Sequence, residues 1–407
     1  MMVPKLRFEG FNKNWAVKKL DSIFSFKNGL NASKEMYGKG VKFINVLDII
    51  NNDKITYDVI NESVGATDDQ ISSYQVMQGD ILFQRSSETR DEVGQTNVYA
   101  DSKTVLFGGF VIRGRPLINI NSTFLNYQLK TDALRKDITQ RSGGSTRYNI
   151  GQDSLGKVTA FFPEIREQEK IANFLSSVDE KMALLNKQYN LLCQYKKGMM
   201  QKIFSQEVRF KDENGEGYPE WKYVDLKEIA SKVNIKNREG LVNVVLTNSA
   251  TQGIVRQDSY FEREIVTESN LQGYYVVSVG DFIYNPRISA TAPVGPIKMN
   301  ELIQGVMSPL YTVFRFKKGL LKFYQYFFES SVWHDYMKSV ANSGARHDRM
   351  NISGADFFAL PVSQPIEAEQ SKIANFLSAI DEKISAKKAE LDKLKNWKQG
   401  LLQQMFI

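Results

Sequence analysis

Apolar positions recur at alternating steps of three and four along two long stretches of the chain. In the first, Ile171, Val178, Leu185, Leu192 and Met199 form one row, and Leu175, Met182, Tyr189, Lys196 and Ile203 the other. In the second, Ile373, Ile380, Lys387, Leu394 and Leu401 run beside Leu377, Ile384, Leu391, Lys398 and Met405. About five heptads of this spacing predict a helix with a coiled-coil seam. Neither stretch holds a proline, and the single glycine of each, Gly198 or Gly400, falls near its end. At 1.5 Å per residue such a helix would be a rod about 54 Å long. A rod cannot cover its seam alone, and a partner of equal length and phase stands in the same chain, so the two are expected to pack together. Lys196 and Lys398 share one seam position, where their stems are expected to lie on the seam and carry the ammonium groups to water.

The two stretches are one sequence written twice, at an offset of 202 residues from Glu167/Glu369 to Phe204/Phe406. That offset is about half of the 407-residue chain, which predicts a tandem duplication with each half ending in a rod. The segments Leu6-Arg7-Phe8 and Val208-Arg209-Phe210 repeat as well, with Trp15 and Trp221 after them as expected core residues. Gly215, Gly217 and Pro219 mark the boundary between halves. Between tryptophan and rod the copies diverge, but landmarks remain. Gly79-Asp80 and Gly280-Asp281 are turns feeding short apolar strands. Residues 41–46 and 242–246 read as strands, and 124–138 and 323–340 as helices. Each block is thus expected to be a mixed α/β domain.

Composition then narrows the function. A hydrophobic content of 42% with 12% aromatics is enough for true cores. The net charge of +7 fits a polyanionic partner. Cys193 is the only cysteine, which excludes a disulfide framework and a thiolate metal cluster. His334 and His347 are the only histidines, and no phosphate-binding glycine loop is present. The start of the chain has no apolar leader core and no run reaches membrane-spanning length, so a cytoplasmic protein is expected. Nothing in the sequence forms a catalytic cluster.

Basic and amide residues gather in four loops at matching places. After the first Gly-Asp strand come Gln84, Arg85, Ser86 and Arg90; before the first rod come Arg141, Ser145, Thr146, Arg147 and Tyr148. The second block offers Asn285, Arg287 and Ser289, then Arg346, His347 and Arg349. Arginine can pair with guanine, asparagine or glutamine with adenine, and serine or threonine with phosphate, so these are the candidate DNA contacts. A stand-alone two-domain DNA-binding regulator, or a coiled-coil scaffold without a DNA role, would share the rods.

The run Pro163-Glu164-Ile165, Glu167-Gln168, Lys170-Ile171-Ala172, Phe174-Leu175, Asp179 and Lys181, with its second copy from Pro365 to Asp381, resembles the helical region of specificity subunits of Type I restriction-modification enzymes. The Ser142–Ile150 and Gly79–Phe83 runs are similar to that family's recognition domains, although Ser343-Gly344-Ala345-Arg346 lacks the Gly-Ser-Thr of the first copy. The resemblance covers the whole chain. It implies an α+β fold of two tandem target-recognition domains separated by two long helices packed as an antiparallel, pseudo-two-fold coiled coil. Residues 1–163 would be the first domain with its arm, 164–205 the first helix, 206–364 the second domain and 365–407 the second helix. Ile171, Leu175, Val178, Leu185, Ile373, Leu377, Ile380 and Leu394 would form the coiled coil and partner-binding set. The function implied is non-catalytic: one half of a bipartite, asymmetric DNA target read by each domain. The implied partners are two methyltransferase subunits and, in the full complex, restriction subunits. No cofactor would bind this chain; S-adenosylmethionine would sit on the methyltransferase, and ATP and Mg on the restriction subunit.

Overall fold

The computed structural model describes residues 3–260, 268–342 and 348–406. Both rods are helices, Ile165–Phe204 and Glu367–Met405. Every predicted seam position is buried or half-buried, the lysines included. Pro163 and Pro365 close the preceding strands, Thr159–Phe162 and Pro361–Gln364, because proline cannot continue a ladder. No helix among the described residues is long and apolar enough to cross a membrane. The chain divides into two compact units, Met1–Lys187 with Lys388–Ile407, and Gln188–Lys387. Each long helix therefore starts in one unit and ends in the other.

In the first unit an antiparallel four-stranded sheet runs Phe24–Asn28, Val111–Pro116, Ile81–Gln84, Thr96–Val98. The central strand is apolar on both faces and separates two cores. Ile81 and Phe83 face a cluster with Trp15, Phe124, Ile171, Leu175, Leu401 and Phe406. Leu82 faces the other way, with Ile44, Ile55, Tyr99 and Val111. The first cluster takes the start of one rod and the end of the other, so the helices run antiparallel here. Phe174 meets Trp397 edge-on at 6.0 Å in the same arrangement. A second sheet, Ser63–Val64, Tyr37–Ile44, Leu106–Phe107, carries the outer layer.

The second unit repeats the sheet order as Ala230–Lys232, Thr312–Phe316, Phe282–Tyr284, Ile297–Met299. Phe282 and Tyr284 pack with Trp221, Phe204, Ile373 and Leu377, while Ile283 faces Leu246, Val277 and Val313. Its outer layer differs, being two antiparallel strand pairs, Leu246–Ser249 with Gly253–Arg256 and Tyr275–Val277 with Gly305–Met307. Here the rods meet where Lys196 reaches Asp381, again antiparallel.

The Gly-Asp turns do more than reverse the chain. Gly79 and Gly280 sit at φ near +90° and +89°, a conformation glycine adopts without strain. The carboxylates accept from the backbone of Met77 (2.9 Å) and Ser278 (2.8 Å), and from Arg115 (2.8 Å) and Arg315 (2.6 Å) across the sheet. Full burial of both aspartates makes these arginines obligatory partners.

Five sequence expectations are corrected. The helix over 124–138 is two helices, Ser122–Leu129 and Asp132–Gln140; that over 323–340 is Leu321–Glu329 and His334–Val340. The Thr131 and Ser330 hydroxyls donate back to Gln128 (2.7 Å) and Phe327 (2.6 Å) carbonyls and end each first helix at the same point. The strand expected at 41–46 is Tyr37–Ile44, because Asn45 and Asp48 form a capping box for the helix Val46–Ile50. The strand expected at 242–246 begins only at Leu246. Lys196 and Lys398 do not carry their ammonium groups to water. Each is held by an aspartate of the opposite rod, Asp381 or Asp179, and lies over a tyrosine ring, Tyr326 or Tyr127.

Candidate nucleic-acid interface

The strand Ile81–Gln84 delivers the chain to the first basic loop, and a short antiparallel ribbon fixes that loop in place. Ser86–Ser87 pairs with Tyr148–Asn149. Gly143 and Asn149 exchange backbone bonds of 3.0 and 2.8 Å, closing the loop between them. The backbone N–H of Ile150 donates to Arg85 (3.0 Å), whose own N–H donates to Phe110 (2.8 Å). Two loops more than fifty residues apart in sequence are thus one ridge.

On that ridge Arg90, Arg141 and Arg147 are exposed, as are Ser145 and Thr146. Arg90 donates to the Thr139 carbonyl (3.2 Å), Arg141 to Asp137 (2.9 Å), and Arg147 lies 3.7 Å from Glu88. Exposed contacts of this kind are worth little and can be exchanged for a phosphate or a base edge. Arg85 is half-buried and donates to the Gly109 carbonyl (3.2 Å). Tyr148 is half-buried against the rod-side core. Gln84 must be corrected as a direct contact: it is only 4% exposed, and its amide donates inward to the Ser86 carbonyl at 3.1 Å. It lies on a strand whose two faces are both covered.

The second unit joins its loops at the matching place. Arg287 and Arg349 form a β-bridge, Ile288 N–H donates to Asp348 (3.0 Å), and Met350 N–H to Pro286 (2.9 Å). Arg287 and Arg349 flank Asp348 at 3.9 and 3.8 Å. Ser289 is exposed and closes a turn by accepting from Ala292 N–H (3.1 Å). Asn285 is half-buried and scaffolding, bonded to the Asn248 carbonyl (3.1 Å) and the Arg287 N–H (3.0 Å). Arg346 and His347 lie outside the described residues.

The rod residues Ile171, Leu175, Val178, Leu185, Ile373, Leu377 and Ile380 are buried, and Leu394 is half-buried. They are spent on internal packing. The repeated Glu-Gln pairs are internal too. Glu167 accepts from Arg7 (2.6 and 2.7 Å) and Glu369 from Arg209 (3.2 and 2.8 Å), tying each arm to its rod. Gln168 and Gln370 accept from the backbone of Asn121 (3.0 Å) and Leu320 (3.2 Å). Sequence reasoning also missed Tyr127 and Tyr326, which donate to Asp179 and Asp381 at 2.7 Å. The spacing Phe124/Tyr127 against Phe323/Tyr326 was the available signal.

Two homologous α+β units, each joining diverged arginine-bearing loops on a common frame, define a duplicated recognition protein. The family profile of the Type I restriction modification DNA specificity domain matches residues 12–194 and again 218–396, and the chain belongs to that family of DNA target-recognition proteins. A specificity subunit of Methanocaldococcus jannaschii, provisionally named as type I restriction enzyme MjaX, is 26% identical over 411 residues, 96% of this chain and 92% of the relative. The MjaIX specificity subunit of the same organism is 26% identical over 256 residues, 61% of this chain and 56% of the relative. The fold is shared with the S subunit of a Type-I restriction-modification system from M. genitalium, with a TM-score of 0.57 at 17% identity over 100% of this chain and 99% of that one. A chain from a study of assembly and conformational transition in the type I R-M system gives 0.56 at 15% identity, covering 98% and 99%.

Proposed function

We propose that this chain is the DNA-reading, non-catalytic subunit of a type I restriction-modification complex. Each unit reads one half of a bipartite, asymmetric target, and the chain directs two methyltransferase subunits and the restriction subunits to it. S-adenosylmethionine belongs to the methyltransferase, and ATP with Mg to the restriction subunit. One observation carries the reading: the Gly-Asp strand, its arginine clamp, the sheet order and the rod contacts match between units, while the ridges and outer layers differ. A frame kept alike beside loops free to diverge suits identical partners and unlike half-sites.

The test is to map methylated positions in a host expressing the chain with its methyltransferase. Arg141→Ala with Arg147→Ala should relax one half-site, and Arg287→Ala with Arg349→Ala the other, at about 1–3 kcal/mol per lost base contact. Loss of both half-sites from either pair would overturn the assignment. Sequence-specific binding without any methyltransferase would favour the stand-alone regulator.

A further inference from the structure

The turn that lies beside each ridge carries an exposed apolar side chain at the same position. In the first unit Val111 N–H closes on the Gly108 carbonyl (2.8 Å), and in the second Tyr311 N–H closes on Ser308 (3.0 Å). The third residue of these turns is Phe110 in one and Leu310 in the other, 61% and 59% exposed. Strand register makes them equivalent: Ile81 pairs with Gly114 and Phe282 with Phe314, each four residues beyond the turn position. Single exposed apolar residues are common on protein surfaces. Recurrence at one rung of two blocks whose outer layers differ is a stronger observation.

Both turns are held rather than loose. Arg85 donates to the Phe110 and Gly109 carbonyls (2.8 and 3.2 Å), which places Phe110 against the ribbon Ser86–Ser87/Tyr148–Asn149. A Cβ on Gly109 would fall 1.9 Å from Asn31 Oδ1, so the turn is pressed against its neighbour. In the second unit the Tyr311 hydroxyl meets Thr247 Oγ1 at 3.1 Å, and the next residue, Asn248, receives the Asn285 amide. Each apolar side chain therefore stands on a fixed turn, beside the Arg85 guanidinium in the first unit and the Tyr311 and Thr247 hydroxyls in the second.

We propose, resting on the DNA reading above, that Phe110 and Leu310 are specificity-determining residues that each contact a thymine 5-methyl group in their half-site. The methyl is the one apolar mark on a major-groove base edge, and side chains such as phenylalanine recognise it by contact. A two-stranded ribbon is also the width that groove admits. Arginines on the ridge would supply the flanking polar contacts.

The test uses the full chain assembled with its methyltransferase and duplexes in which each half-site thymine is replaced in turn by uracil, removing only the methyl. The parent complex should lose about fourfold in affinity at one position in each half-site, the worth of one buried methyl. Phe110→Ala should lose the same factor on the thymine duplex and show no response to uracil in its half-site, while the other half-site stays sensitive. Leu310→Ala should do the converse. Both side chains are mostly exposed, so thermal midpoints should match the parent and keep folding out of the readout. Undiminished uracil sensitivity in Phe110→Ala overturns the proposal, as does a parent that binds its site specifically yet ignores every uracil. A changed duplex bend without uracil dependence would mark an inserted wedge and overturn it too. Failure of the underlying DNA reading looks different: the parent would then show no sequence-specific binding at all.

Discussion

The two units build the same polar node with opposite charge balance. In the first, Lys398 pairs with Asp179, lies 5.3 Å from the Tyr127 ring centroid, and Tyr127 donates to Asp179 at 2.7 Å. In the second, Lys196 pairs with Asp381 at 2.7 Å, lies 4.9 Å from the Tyr326 ring, and Tyr326 donates to Asp381 at 2.7 Å. Three residues after the tyrosine, the first unit has Lys130 and the second Glu329. Glu329 joins the node, 3.0 Å from Lys196. Lys130 instead adds a second cation. Burial first, and then Lys398, hold the Lys130 amine below its ordinary range, with Asp179 and Asp53 pulling the other way. Burial also works against the charge on Lys196, but Glu329 and Asp381 outweigh it and raise that amine above its ordinary range. Geometry was kept through the duplication while charge drifted, and charge decides what the node contributes.

The sharpest way to break the comparison is to remove the rod lysines. Lys196→Met leaves Asp381 and Glu329 facing each other without a cation and should cost about 2 kcal/mol, less than a fully buried pair because Asp381 is 38% exposed. Lys398→Met leaves Asp179 within reach of the Lys130 field and should cost about half as much. Urea midpoints of the two variants would decide it, and equal losses would mean that the extra charge is irrelevant.

A second contrast lies under the arms. The Trp221 indole N–H donates to Glu369 at 2.8 Å, whereas Trp15 Nε1 is buried without a partner among the described residues. Trp221→Phe should therefore cost about 1.5 kcal/mol more than Trp15→Phe, since hydrogen bonds to charged groups lie near that value. Thermal denaturation of the pair measures the difference directly.

The smallest effect sharpens the first comparison. Lys130→Glu gives the first node the acid of the second and should stabilise the protein by about 0.5 kcal/mol at neutral pH. A lysine whose folded value is depressed destabilises the fold below that value, so the parent should gain stability as pH climbs toward the ordinary lysine value of about 10.4. Lys196 contributes with the opposite sign: its stabilisation is complete below that value and is lost as pH rises through its own raised value. Lys130→Glu should remove the alkaline gain and leave the Lys196 loss, which melting curves across that range would show.

Much of this architecture was legible in the chain itself. Rod length and phase come from the three-and-four spacing, because the seam is a local periodicity, and the duplication comes from two aligned segments. The Gly-Asp strand was legible for the same reason, although its alternation between two cores was not. Ile81, Leu82 and Phe83 are all apolar, and only folding shows which face each one covers.

Partners that arrive from far along the chain were decided by tertiary structure alone. Glu167 looks like an exposed first-turn acid until Arg7 meets it, and Glu369 does so until Arg209 and Trp221 converge there. Lys196 and Lys398 share a seam position that local reasoning assigns to water, yet each finds an aspartate on the opposite helix. The ridge is likewise a product of strand pairing, which joins Ser86 to Asn149, turns Gln84 inward and leaves Phe110 outside. Local pattern determines elements because it depends on neighbours three or four residues away. Burial, ion pairing and the joining of the basic loops depend on segments brought together only by the folded chain.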